Sequence, residues 1–239
     1  RTTTPPRAER CRVRASLAPK KVSPSAFWRQ LVRGTPYELE IVLPEGGDAR
    51  VLEAARYCVA QKLCNVVVLG DRDAVHRAAG LAGLELDGVR ILEPATALDQ
   101  YPQALRHATE SLARKMRKTS PRELLASDTA YLGAALVGAN VFDGMVCGAS
   151  RPTATTVTAA RLLVDAHPDA VLLSSSTVLL SDDGIKLYAD CALNQSPTAR
   201  QLAHIAIASA GTAAAFGLSP RVALLSFATG TSARGAAVE

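Results

Sequence analysis

The chain has 239 residues, 48% of them apolar and 21% charged, with a formal net charge of +5. That length carries one large α/β domain or one and a half smaller ones. No apolar run is long enough to span a bilayer, and the charge is misleading as a nucleic-acid signal. Residues 1–21 hold seven cations against Glu9 alone, a net of +6, so the rest of the chain balances near −1. The first 22 residues are rich in Thr, Pro, Arg and Ala, the composition of a transit peptide or a disordered leader. Cys11, Cys58, Cys64, Cys147 and Cys191 show no metal-like spacing and read as reduced thiols, Cys147 and Cys191 as core filler.

Ser23 to Arg33 reads as an amphipathic lead-in helix carrying Phe27, Trp28 and Leu31. Glu40 to Leu43 is the first strand, and Asp48 can cap the helix that follows to about Lys62. Asn65 to Leu69 and Val89 to Leu92 are further strands, with a short helix over Asp71 to Ala79 between them. A β-α-β-α-β order implies a parallel sheet with right-handed crossovers. Helices are then expected over Tyr101 to about Arg117 and Pro121 to Val137, the second capped by Thr119 or Ser120. In the second, Ala130, Gly133 and Ala134 allow close packing. Asp143 to Cys147 reads as a strand that turns at Gly148 into another helix. A small-residue turn at a helix N-terminus favours a phosphate or a carboxylate, through its amides and the macrodipole.

The pattern changes near residues 165–170. VLLSSSTVLL and IKLYADC are joined by Ser181-Asp182-Asp183-Gly184, a hairpin signal. Ser196 and Pro197 open a helix that Gly217 closes. Arg221 to Phe227 reads as a buried strand emptying into ATGTSARG, either a second anion-binding turn or an ordinary polar loop. The chain divides as 1–22 leader, 23–168 first α/β domain and 169–239 the start of a second, incomplete one. None of His76, His107, His167 and His204 is paired in the pattern, and each reads as a surface residue.

The wording of the last stretch is more specific than its pattern. ADCALNQSPTARQLAHIAIASAGTAAAFGLSPRVALLSFATGTS resembles the phosphotransacetylases (phosphate acetyltransferases), which typically read GDCAVNPDPTAEQLADIAI and PRVAMLSYSTGTS here. SPSAFWRQL and IVLPEGGDAR extend the resemblance back to about Ser23. It implies an enzyme of two-domain, isocitrate/isopropylmalate dehydrogenase-like architecture. Such an enzyme moves acetyl between coenzyme A and phosphate, with coenzyme A as substrate, no cofactor and no metal. It implies a homodimer with neither nucleic acid nor membrane as partner. With the leader it implies an organelle, a plastid before a mitochondrion, and otherwise the cytoplasm.

The resemblance also nominates residues. Arg114 aligns with an arginine of the family's LRKxKG, with one residue inserted here. The turn GASRPTATTVTAA stands where the family reads SGAxHTTAxTIRPA. Arg151 replaces the histidine, and Thr158 stands at the family's catalytic arginine. Arg114 and Arg151 are the candidate catalytic residues, with Arg161 as a second substitute for the missing arginine. Ser150, Thr153, Thr156, Thr229, Gly230, Thr231 and Ser232 are candidate substrate-binding residues. The family's Ser-Arg pair and its Asp base are expected downstream of Glu239. Two alternatives stay open: a non-catalytic acetyl-CoA-binding module, as in certain malic enzymes, and a butyryl transferase.

Overall fold

A computed structural model describes Val32 and residues 38–115, 120–181 and 184–225. The lead-in helix expected over 23–33 lies outside these residues except for Val32, as do residues 226–239. Apart from Val32, the described residues form two compact units, 38–167 and 168–225.

The first unit is built on four parallel strands: β1 (Glu40–Leu43), β2 (Asn65–Leu69), β3 (Arg90–Leu92) and β4 (Gly144–Met145). Their spatial order is β3-β2-β1-β4, with Val42 opposite both Val67 and Met145 and with Val68 opposite Ile91. EIVL and NVVVL are apolar runs without alternation because both faces of the sheet are covered. Leu43, Val66, Val68 and Ile91 pack on Leu52 and Ala55 of α1 (Ala49–Ala60) and on Val75 and Ala79 of α2 (Arg72–Leu81). On the other face, Val42, Val67, Leu69 and Leu92 pack on five helices: α3 (Pro94–Gln100), α4 (Pro102–Lys115), α5 (Pro121–Ser127), α6 (Thr129–Gly138) and α7 (Thr153–Leu163). Chain direction across the sheet reverses between β1 and β4: the path runs outward from β1 to β3, then returns to β1's other side.

The helix expected from Tyr101 is present, an unexpected helix precedes it, and the one expected over 121–137 is two. Pro94 and Pro102 each start a helix, so the run before Lys115 is split at Tyr101. Asp128 ends α5 and caps α6, its carboxylate accepting from the Ala130 amide at 2.9 Å. A short polar side chain that competes for backbone amides favours a cap over a helix interior, and this breaks the expected 121–137 helix. Helix α6 is buried on most of its circumference. Gly133 makes the expected close approach: a Cβ there would lie 2.8 Å from Met145 Sδ and 3.1 Å from Pro44 Cγ.

Four helices end in the same hydrogen-bond pattern, a 6→1 bond with a 5→2 bond inside it. In α1, Leu63 donates to the Cys58 carbonyl (2.9 Å) and Lys62 to Val59 (3.0 Å). The left-handed residue is Gly83 after α2 (φ 65°) and Gly217 after α8 (φ 78°, defined below), but Lys62 after α1 (φ 52°) and Asn140 after α6 (φ 55°).

The second unit holds an antiparallel hairpin, β5 (Ser176–Ser181) and β6 (Gly184–Ala189), and α8 (Ala199–Ala215). Ser181 pairs with Gly184, and the turn residues 182–183 lie outside the described set. The cap of α8 is Thr198 rather than Ser196. Thr198 Oγ1 accepts from Gln201 N and Gln201 Oε1 from Thr198 N, a reciprocal box that outbids Ser-Pro. Asp190 organises the turn after β6. It accepts from the amides of Ser175, Ala192, Leu193 and Asn194 and from the Ser175 hydroxyl and Asn194 amide group. Burial pushes its carboxyl up, and these bonds hold it well below the usual range.

Two expectations fail in this unit. Residues 221–225 form no strand and are exposed, Leu225 at 82%. A strand needs a neighbour to complete its ladder, and none of the described residues pairs with this segment. Cys191 is exposed, not core filler, and its Sγ donates to the Tyr188 carbonyl.

Left-handed backbone costs a side chain ~1–2 kcal/mol, and glycine's extra freedom in the unfolded chain returns part of it. Lys62→Gly should therefore stabilise the first unit by about 0.5–1 kcal/mol in urea unfolding, and Asn140→Gly by less, since Asn tolerates this region. A destabilised Lys62→Gly protein would contradict the strain.

Candidate active site

In a parallel sheet with helices on both faces, ligands settle where chain direction reverses, outside the carboxyl ends of the strands. Here that place lies between the exits of β1 and β4. The exit of β1 is Pro44-Glu45-Gly46-Gly47, and the exit of β4 is the turn from Val146 to Arg151. A cleft of about 340 Å³ opens there, with Gly46, Asp48, Gly70, Thr129, Ser150 and Arg151 among its lining residues.

Glu45 joins the two exits. It is only 7% exposed. Oε2 accepts from the amides of Gly148 and Ala149, both at 2.8 Å. Oε1 accepts from the amides of Ser150 (2.7 Å) and Arg151 (3.0 Å) and from the Ser150 hydroxyl (2.9 Å). The turn is thus an anion cradle, as its composition suggests, and its occupant is a carboxylate of the chain itself. Helix α7 has Pro152 at its N-cap position and no side-chain cap, so Glu45 supplies from afar the anion this helix start favours. Burial raises the Glu45 carboxyl, but the amides of Ser150, Ala149 and Gly148 outweigh it and hold the pKa at about 2, down from 4.5.

A second tie lies beside the first. Asp48 caps α1 through the Arg50 amide (2.9 Å) and takes a fork from Arg50 Nε (3.0 Å) and NH2 (2.6 Å). The same NH2 reaches the Ala149 carbonyl at 2.6 Å. The Arg50 bond holds the Asp48 carboxyl at about 2. Gly46 is required where these loops meet β2. Its amide donates to the Leu69 carbonyl at 3.2 Å, and a Cβ would lie 2.6 Å from that oxygen.

Arg151 reaches from the cradle to the start of α6. Its NH1 donates to Asp128 Oδ1 (2.8 Å) and its NH2 to Thr129 Oγ1 (3.2 Å). These bonds use two of the five guanidinium donors. Of the other nominated residues, Ser150 also lines the cleft. Ser150 is engaged by Glu45 through both amide and hydroxyl, and Thr153 is exposed at the start of α7. Thr156 donates to Cys147 Sγ at 3.5 Å, and burial pushes that thiol up. Thr158 is exposed. Arg114 lies in the last turn of α4, with its side chain outside the described set, and Thr229, Gly230, Thr231 and Ser232 lie outside it altogether. Of the histidines, His107 is half-buried and meets the Leu163 carbonyl through Nε2 at 2.7 Å. That acceptor requires the proton on Nε2. Among the described residues no group of three or more His, Cys, Asp or Glu is arranged to hold a metal ion.

Sequence reasoning missed Glu45, Asp48 and Thr129 as cleft residues, and Asp128 as the partner of Arg151. The meaning of PEGGDAR depends on strand order, which places β4 beside β1.

The family model for phosphate acetyl/butaryl transferase matches residues 31–239. The chain belongs to this family. Phosphate acetyltransferases of Haemophilus influenzae and Escherichia coli are 39% and 38% identical to it over 92% of its length. The chain spans about a third of the length of these curated relatives, 31% in both cases. Among solved structures, a phosphotransacetylase from Streptococcus pyogenes is 30% identical with a TM-score of 0.78, covering 90% of this chain and 66% of that one. The EutD phosphotransacetylase from Staphylococcus aureus is 34% identical with a TM-score of 0.73, covering 83% and 60%. In this member of the phosphate acetyl/butyryl transferase family, the parallel sheet and its switch-point cleft accompany the matched sequence.

Glu45→Ala would strand four amides and a hydroxyl, a loss of about 3 kcal/mol in unfolding free energy. The pH dependence has a definite sign. A carboxyl lowered on folding contributes its full stability above its unfolded value of 4.5 and loses it as pH falls toward about 2. Glu45→Gln should flatten the stability profile in that window relative to the unaltered protein. An unchanged profile would show that the cradle does not hold Glu45 as described.

Proposed function

We propose that this chain is part of an acyltransferase that moves acetyl between coenzyme A and inorganic phosphate. The observation that carries the proposal is the family match over residues 31–239. In one direction the coenzyme A thiolate attacks the acetyl carbon of acetyl phosphate. A C–S bond forms, the C–O bond breaks and phosphate leaves with the electron pair. Charge gathers on the leaving oxygens, so catalysis needs cations placed at that position.

Arg151 is the residue of the described cleft best suited to that role, with guanidinium donors beyond those held by Asp128 and Thr129. Glu45 and Asp48 are too acidic, each at about 2, to take a proton from a thiol near neutrality. Their contribution is to hold the loops. Arg114, Arg161, Thr153, Thr156 and the Thr229–Ser232 turn remain proposed contacts from the family resemblance, coenzyme A being a substrate with no separate cofactor.

The reading extends to the finer points of the family. The first unit would be one half of a two-domain, isocitrate dehydrogenase-like enzyme that acts as a homodimer, with the second half beginning near residue 169. No helix of the described residues is long and apolar enough to cross a membrane, and the basic first 22 residues support a transit segment directed to a plastid or a mitochondrion. Thr158, a hydroxyl where the family carries its arginine, favours one second reading: a module that binds acetyl-CoA without transferring it.

The test is acetyl transfer in the full-length protein. Arg151→Ala should lower kcat/KM for acetyl phosphate by about 10²-fold, the order expected for losing one charge-stabilising group, and Arg161→Ala by only a few-fold. Equal, small effects of both would remove Arg151 from the mechanism. An unaltered protein that binds acetyl-CoA yet transfers nothing, and gains activity with Thr158→Arg, would establish the second reading instead.

A further inference from the structure

Cys58 and Cys64 stand on either side of the turn that ends α1 and begins β2. Cys58 lies in the last turn of the helix and Cys64 immediately precedes Asn65. The cap fixes their separation. Leu63 donates to the carbonyl of Cys58 itself at 2.9 Å, and Lys62 turns the chain through φ 52°. The chain doubles back over five intervening residues and brings the Cys64 thiol within interaction range of the Cys58 thiol. Both are free, half-buried and packed at the margin of the core that includes Leu52, Ala55 and Val66. They lie at the far end of α1 from the cleft. Cys58 is nine residues along from Ala49, about 14 Å at helical rise.

We infer that Cys58 and Cys64 are a redox-modifiable pair, closing to an intramolecular disulfide when the protein meets a low-molecular-weight disulfide. Two further features suit them to this. The neighbouring Cys64 thiol lowers the Cys58 thiol below the ordinary thiol value, which favours its thiolate, while the Cys64 thiol is raised. Thiols that already interact across one cap turn need only a short approach to reach the ~2 Å of a disulfide. The Cys58 thiolate attacks one sulfur of the small disulfide and expels one small thiolate. Cys64 then gives up its proton and attacks the Cys58 sulfur of the mixed disulfide, expelling the second. Two electrons pass to the small disulfide, which ends as two thiols, and the protein gains one S–S bond. The other described cysteines are placed differently. The Cys147 thiol is pushed up by burial and accepts from Thr156, and the Cys191 thiol is bonded to the Tyr188 carbonyl.

The experiment treats the reduced full-length protein with glutathione disulfide in mildly alkaline buffer and maps its peptides without reduction. The expected product has lost two hydrogens, carries one cross-linked peptide joining Cys58 to Cys64, and reverts with dithiothreitol. Cys64→Ser should instead retain glutathione on Cys58. Glutathione persisting on Cys58 in the unaltered protein would overturn the inference. So would a cross-link to Cys11, Cys147 or Cys191, or full recovery of unmodified Cys58 and Cys64. The map of the unaltered protein decides the matter even if a serine variant fails to fold.

Discussion

One carboxylate seated among consecutive backbone amides fixes the geometry of the first unit's cleft. Glu45 and the turn it binds are more than a hundred residues apart in sequence. With both oxygens accepting, the exits of β1 and β4 cannot separate without exposing several charge-assisted bonds at once. The position of Arg151 follows, since its own amide is one of the donors. So does the direction in which α7 leaves the turn. An incoming phosphate would meet a helix N-terminus whose partial positive charge is already matched. Attraction for it has to come from guanidinium groups rather than from the bare amides that glycine-rich turns usually offer.

The second unit uses the same device on a local scale. Asp190 gathers amides two to four residues ahead of it, with Ser175 as its more distant partner. A carboxylate saturated in this way defines a turn without help from hydrophobic packing. Both carboxyls are held ionised through the physiological range, so each turn keeps its shape there.

Much of the fold was legible in the residues. NVVVL and EIVL announced buried parallel strands, and Asp48 and Ser120 were readable as caps because a cap is decided within three or four residues. RVALLSF has the composition of a strand, yet among the described residues no strand pairs with 221–225. The break at Asp128 and the separate helix from Pro94 turned on single capping or proline residues inside otherwise helical patterns. At the cleft, Arg151 could be nominated because it sits in the turn. Glu45 could not, because its partners are set by strand order. The carboxylate in PEGG looks like an ordinary loop residue until β4 lies beside β1.

That strand order also bears on how the cleft comes into being. Ile41 pairs with Val66 on one side and Gly144 on the other. The first partner is reached by a short crossover. The second requires the chain to pass through four more helices after β3, α3 to α6, before a two-residue ladder. Closing the longer loop costs about 1 kcal/mol more entropy than closing the shorter one. β1, β2 and β3 can therefore assemble as an early nucleus, with β4 and α7 docking last and the cradle closing around Glu45 at the end. The segment that completes the cleft is also the one whose detachment demands the least disruption of the remaining sheet. Detachment there would leave the β1–β2 and β2–β3 ladders paired.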